Sequence, residues 1–290
     1  MPNRLQHRPA LFRRNLLVAM AFATMTALSS PLLYAADAPQ QREISIGGTG
    51  AAIGLMKAIG DDFVRTRPGV RIQVVPSLGS GGGVKALVAG ALQIAVTSRA
   101  LTDDERAKPV RAIEYVRTPF VFVVQRNNPV MGASLDELAD AFAGRRKTWP
   151  DGQPVRPVLR PLSDVDTKLV ADISPALQQA IATAHQLPGK NIAITDTDIA
   201  DELERVPGAI GTSTLVLVRT EQRALKPLSI GGVEPTIDNL RRGTYRYQKS
   251  IYVIVRNDAP PVVRAFVEHL QSPGVASMLA KLGATVASTP

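Results

Sequence analysis

The sequence predicts an α/β fold on a largely parallel sheet, arranged as two lobes, and three observations carry that prediction. Two strand-loop-helix units follow one another over 43–65 and 71–90, each with a loop of glycine and hydroxyl residues where strand turns into helix. Strongly β-prone runs recur at 114–125 and 250–255 among stretches of helical periodicity. No low-complexity linker divides the chain, so its lobes are expected to be interleaved, not strung end to end.

The first unit opens with the strand Glu43-Ile44-Ser45-Ile46-Gly47 and the loop Gly48-Thr49-Gly50-Ala51-Ala52. Ile53, Met56, Ile59 and Phe63 then lie close to helical spacing, and Pro68-Gly69 ends the segment. In the second unit Arg71-Ile72-Gln73-Val74-Val75 alternates polar and apolar, and Ser77-Leu78-Gly79-Ser80-Gly81-Gly82-Gly83 leads into two helical turns over 84–90 closed by Gly90. Four glycines around Ser80 allow close backbone approach, and the first turn of the next helix offers unpaired N–H groups and partial positive charge. That is a place for an anion, with a packing turn as the plainer alternative. A Walker A loop is excluded, because Val84 separates Gly83 from Lys85 and no hydroxyl follows the lysine. A nucleophile elbow is excluded too, since Leu78 stands two residues before Ser80.

The strand that follows closes on Thr97-Ser98-Arg99, and acids at 103–105 mark a short helix start. The run 114–125 reads as a long strand crossing into a second lobe. There, Ser134-Leu135-Asp136-Glu137 is a capping box for a helix to Ala143, and 144–154 is turn-rich around the only tryptophan, Trp149. Residues 155–160 read as a strand, 161–167 as its loop, and a helix begins at Lys168. Short strands are expected at 191–194 and 209–212, with the apolar run 215–218 as a returning strand. On that basis 36–125 with 219–290 form the first lobe and 126–218 the second. A strand over 250–255 and amphipathic helices over 261–271 and 273–282 close the chain.

With 290 residues and 45% hydrophobic content the chain can bury a large core. Residues 1–35 differ from the rest: Arg4, Arg8, Arg13 and Arg14 with no acid, an apolar run from Leu16, and Leu33-Tyr34-Ala35 before the exit. This is the pattern of a cleaved secretory signal peptide, and the mature chain is expected to begin near Ala36 in the periplasm, soluble and monomeric. Ser29-Ser30-Pro31 interrupts the run, against a membrane anchor. The absence of cysteine excludes disulfides, thiolate metal sites and lipoprotein processing. Without the four signal arginines, 30 basic residues face 25 acidic ones, a mild bias toward anions that does not call for nucleic acid.

The order of Ile46 to Gly50, Gly79 to Leu87, Thr97 to Leu101, Gly144 to Trp149, Arg160, Pro207 to Gly211, Gly232 to Thr236 and Gly243-Thr244-Tyr245 resembles the phosphate-binding proteins of bacterial ABC importers. The resemblance runs almost the length of the mature chain. It implies a two-lobed binding protein with two crossing strands that closes over phosphate or a related oxyanion and delivers it to a membrane permease, without cofactor, metal or catalysis. It places ligand contacts at Thr49, Gly50 and Ala51 in the first loop, at Ser80 and Gly81 in the glycine-rich loop, at Ser98, and at Arg160, Ser163 and Thr167 in the second lobe. The planar fork of Arg160 suits bidentate contact with a tetrahedral anion, although it could instead pair with Asp164 or Asp166.

Two departures bear on the ligand. The family carries an aspartate where this chain has Ser98, so strong discrimination between protonated phosphate and sulfate is not expected. The family also has Ser-Gly-Thr where this chain has Asp164-Val165-Asp166, and carboxylates beside an anion oppose binding unless they cap the helix or pair with Arg160. Sulfate, molybdate, tungstate and small organic acids therefore stay open, as does an adaptor or sensor that keeps the fold without transport. For an enzyme, only His185 and His269 remain beyond the signal, both on expected helices without a partnered nucleophile. Asp61-Asp62 and Asp103-Asp104 read as helix-surface charges, which leaves Asp164 and Asp166 as the acids of a rival phosphoester hydrolase.

Overall fold

The computed structural model describes residues 43–287; the expected signal peptide over 1–35 lies outside them. Strand β1 (Glu43–Gly48) runs through a 3-10 turn (Gly50–Ala52) into helix α1 (Ile53–Thr66), whose Leu55, Met56, Ile59 and Phe63 are fully buried. Strand β2 (Arg71–Val74), helix α2 (Gly79–Val88) and strand β3 (Ile94–Thr97) repeat the unit, and β2 and β3 flank β1 in parallel register. Helix α2 begins earlier than expected and takes up the glycines themselves. A Cβ on Gly83 would lie 2.7 Å from the Cα of Gly48, and Gly48 has φ +138° with Val96 O against it, so α2 rests on the bare backbone at the end of β1. Because backbone cannot yield as a side chain can, Gly83→Ala should cost about 1–3 kcal/mol, read as a lower urea midpoint at unchanged m-value.

After helix α3 (Asp103–Arg106), capped by Thr102 and Glu105 in a reciprocal box, the chain enters the 16-residue strand β4 (Val110–Gln125). Strand β5 (Gly132–Ala133) and helix α4 (Leu135–Phe142) follow, the latter with the expected Ser134–Glu137 capping box. Next come β6 (Arg156–Leu159), α5 (Val165–Ile173), α6 (Pro175–Ala184), β7 (Asn191–Ile192), α7 (Asp196–Arg205) and β8 (Ala209–Thr214). The run expected to return as a strand is instead helix α8 (Leu215–Thr220), N-capped by Thr214 and buried at Leu215, Val216, Leu217 and Val218. Its neighbours explain this: Val216 belongs to one hydrophobic core and Leu217 and Val218 to another, so the first turn of the helix is buried on two sides. Strands β9 (Leu225–Pro227) and β10 (Ser229–Ile230), helix α9 (Ile237–Arg241), strand β11 (Gln248–Arg256), helices α10 (Pro261–Leu270) and α11 (Pro273–Leu282) and strand β12 (Thr285–Val286) complete the order.

The main sheet runs β2-β1-β3-β11-β4-β8-β6-β7, and β4 joins its two halves. Residues 110–119 of β4 pair with β11, and 120–124 pair with β8. One core gathers α1, α10, α11 and β11 around Phe63 and Phe266; another gathers α4, α5 and α6 around Phe122, Phe142 and Trp149. Leu225, Leu228, Ile230 and Tyr245 belong to the cores on the β8 side, and the Tyr245 hydroxyl donates to Phe120 O at 2.8 Å. The segment between α8 and β11, which the sequence reading assigns with all of 219–290 to the first lobe, thus contributes these side chains to the cores on the β8 side.

Candidate functional site

The carboxyl ends of β1 and β3 and the start of α2 converge on one edge, as the strand-loop-helix repeats require. Thr49 follows β1, Ser80 lies in the first turn of α2 and Ser98 follows β3. Their hydroxyls form a chain: the Thr49 and Ser98 oxygens lie 3.4 Å apart, and the Ser98 and Ser80 oxygens 3.2 Å apart. The Ser98 N–H also donates to Ser80 Oγ at 3.0 Å. These hydroxyls, with Gly81 and the first N–H groups of α2, line one wall of a cavity of about 240 Å³. At ~30 Å³ per water, that is room for a small inorganic ion and a few waters.

The opposite wall comes from the loops that start α5 and α7. Arg160 follows β6, buried to 6% exposure, with its fork on Asp164: Nη2 donates to Oδ2 at 2.8 Å and Nε to Oδ1 at 3.2 Å, while Nη1 donates to Ala193 O at 3.2 Å. Asp164 also N-caps α5, accepting from the Asp166 N–H at 2.9 Å. Ser163 lines the cavity beside it. Thr167 does not: its hydroxyl donates back to Arg160 O at 3.2 Å and Pro161 O at 2.9 Å, bracing the loop. Gly50 and Ala51 are likewise buried outside the cavity lining. Ala51 belongs to the α1 core, and a Cβ on Gly50 would meet the backbone N of Thr197 at 3.0 Å, so Gly50 lets α7 approach.

Lys249 and Asp196 are among the lining residues that lay outside the sequence expectations. Lys249, in β11, is fully enclosed; its Nζ donates to Asp196 Oδ1 at 2.6 Å and lies 2.5 Å from Asp166 Oδ1. Asp196, the first residue of α7, also accepts from Thr49 Oγ1 at 2.9 Å, linking the hydroxyl wall to the carboxylate wall. Asp166 faces inward, with Thr212 Oγ1 donating to its Oδ2 at 3.3 Å.

Burial pushes the Asp166 carboxyl up, against the pull of Lys249. Asp196 feels the same burial, but Lys249, Arg160 and its hydrogen bonds outweigh it and hold the group at about 2. At the rim Arg99 is bound by Glu105 at 2.6 and 2.8 Å, and that pairing takes Glu105 down to about 2. Arg99, Arg160 and Lys249 line the cavity, and each is already matched by a carboxylate. The site therefore offers hydroxyl and N–H donors in quantity but no surplus positive charge.

A family model for the PBP superfamily domain matches residues 34–273. Protein SphX of Synechococcus elongatus is 27% identical over 92% of this chain and 83% of its own length, and the phosphate-binding protein PstS of Bacillus subtilis is 26% identical over 79% and 75%. A substrate-binding protein of Clostridium perfringens, solved with bound phosphate, superposes with a TM-score of 0.69 at 19% identity, covering 85% of this chain and all of that one. That likeness shows the two-lobed fold. The match over 34–273 shows the family, and the chain belongs to the PBP superfamily.

Proposed function

We propose that this chain is an exported solute-binding protein that captures phosphate in its interlobe cleft and hands it to an ABC importer in the membrane. The observation that carries the reading is the hydroxyl chain Thr49–Ser98–Ser80 at the start of α2, facing Arg160 across a cavity of ion size. The relatives named for phosphate binding support it, as does the bound phosphate of the Clostridium perfringens structure. Lobes meeting near residues 119 and 248, where β4 changes partner and β11 begins, suit closure over a ligand. Calorimetric titration of refolded, ligand-free mature protein with phosphate, sulfate, molybdate and small carboxylates tests the reading. Heat with phosphate is expected.

The engagement of every lining cation by a carboxylate favours a second reading, an adaptor or sensor that keeps the fold without transport. No heat with any of these anions from a folded protein would establish that reading over the first. A hydrolase is less supported: Arg160 holds Asp164 and Lys249 holds Asp166, leaving neither as a free general base.

A further inference from the structure

We infer that the second lobe carries a second ligand site, between the end of α6 and strands β6 and β7, that takes a small carboxylate with an apolar body. The inference stands apart from the anion reading of the cleft, because the two cavities share no lining residue. This one holds about 380 Å³, against about 240 Å³ in the cleft. That falls within the ~300–1,000 Å³ of small-molecule sites. Its floor is apolar: Phe142, Val158, Leu159 and Ala184 line it and are each at most 3% exposed. Phe142, Leu159 and Ala184 also belong to the core around Trp149, so a hydrocarbon body seated there would extend that core.

The charge at this cavity fixes the head of the ligand. Arg156 and Lys190 line it from the start of β6 and from the loop before β7, and both are exposed. In the cleft, Arg99, Arg160 and Lys249 are each matched by a carboxylate; among the described residues Arg156 and Lys190 have none. Glu202, which takes the side chain of Asn191, is held by Arg205. Arg156 Nη1 donates to Pro207 O at 2.6 Å, which leaves the Nε and Nη2 donors of the guanidinium for a ligand. Such a fork matches a planar carboxylate, with Lys190 as a second positive charge. An inorganic anion would leave the apolar floor uncovered, and an uncharged hydrocarbon would leave both cations unmatched. A carboxylate with an apolar body answers both.

The test is calorimetric titration of the mature protein with octanoate, butyrate and octan-1-ol, with amide NMR shifts to locate the octanoate. Octanoate should bind with a Kd below ~1 mM. Butyrate, four methylenes shorter, should bind at least ~10-fold more weakly, and so should octan-1-ol, which lacks the charge. Amide shifts should concentrate at residues 184–191 and 155–159. Arg156→Gln with Lys190→Gln, both at exposed positions, should leave the melting temperature unchanged and weaken octanoate by at least ~10-fold. Absence of octanoate binding to folded wild-type protein would overturn the inference. So would butyrate or octan-1-ol binding as tightly as octanoate, or a folded double variant with wild-type affinity. Shifts confined to residues 79–81, 98 and 160 would place the octanoate in the cleft and overturn it as well. The wild-type titrations and the shift map decide the matter even if the double variant fails to fold. Phosphate takes no part in them, so this site and the phosphate reading stand or fall separately.

Discussion

Lys249→Met should destabilise the folded protein by about 3–5 kcal/mol, the cost of leaving a buried charge without its counter-ion. At about 2–4 °C per kcal/mol for a domain of this size, the melting temperature should fall by about 6–20 °C. Methionine fills nearly the same space, so little of the loss comes from a cavity. It comes from Asp166 and Asp196, both enclosed and both dependent on one ammonium group. The pH dependence identifies the cause. Asp196 sits at about 2 against its ordinary 3.8, because Lys249 and Arg160 overcome the effect of burial. A depressed carboxyl pKa stabilises fully above pH 3.8 and loses that contribution as pH falls through about 2. Asp166 has the opposite sign: raised by burial, it penalises the fold as pH climbs past its ordinary value and it ionises, and without Lys249 the penalty grows. The gap between wild type and variant should therefore be widest near neutral pH and close between about pH 4 and pH 2. Asp166→Asn with Asp196→Asn in the Lys249→Met background should recover most of the loss. A single variant as stable as wild type at pH 7 would remove the buried ion cluster from the account of this fold.

Most of the fold was legible because local chemistry and tertiary packing agree. The strand-loop-helix units, the Ser134 capping box, the long strand β4 and the proline-led helices α10 and α11 each have a local cause that burial reinforces. Helix α8 was not legible. A run of four apolar residues has no periodicity to read, and only its position between two cores makes it helical. Helix α7 carries a readable sign in Thr195 and Asp198, which cap each other reciprocally at its start.

The site divides the same way. Thr49, Ser80 and Ser98 are placed by the ends of adjacent parallel strands and a helix start, so their convergence follows from topology. Ser163 and Arg160 also arrive at the cavity as the motif order implied, but Thr167, Gly50 and Ala51 serve the scaffold around it. Asp196 and Lys249 are separated by 53 positions and lie on two elements of different type, helix α7 and strand β11, and nothing local marks their meeting. The one hint is period two: in β11 Lys249 and Ile251 share the buried phase, which puts a lysine where an apolar residue belongs. A lysine in that phase requires buried carboxylates, and the chain's unassigned acids at helix starts were the candidates.

Arg160→Ala should weaken phosphate binding by about 2–5 kcal/mol, some 30- to 4,000-fold, in the calorimeter. The guanidinium has five N–H donors. Asp164 takes two and Ala193 O takes a third, which leaves two for an anion in the cavity. Arg160→Lys keeps the charge without the fork and should recover only part of the loss. Removing Arg160 also strips Asp164 of its partner, and a carboxylate left bare in the cavity would repel an anion by itself. Asp164 would still cap α5 through the Asp166 N–H, so the variant should remain folded. Arg160→Ala combined with Asp164→Asn separates the two effects. If the anion is gripped by the free guanidinium donors, the double variant stays weak, because the donors are gone whatever the charge of residue 164. Near-native affinity in the double variant would mean that Arg160 serves to neutralise Asp164, and that the hydroxyl wall of Thr49, Ser80 and Ser98 holds the ligand without it.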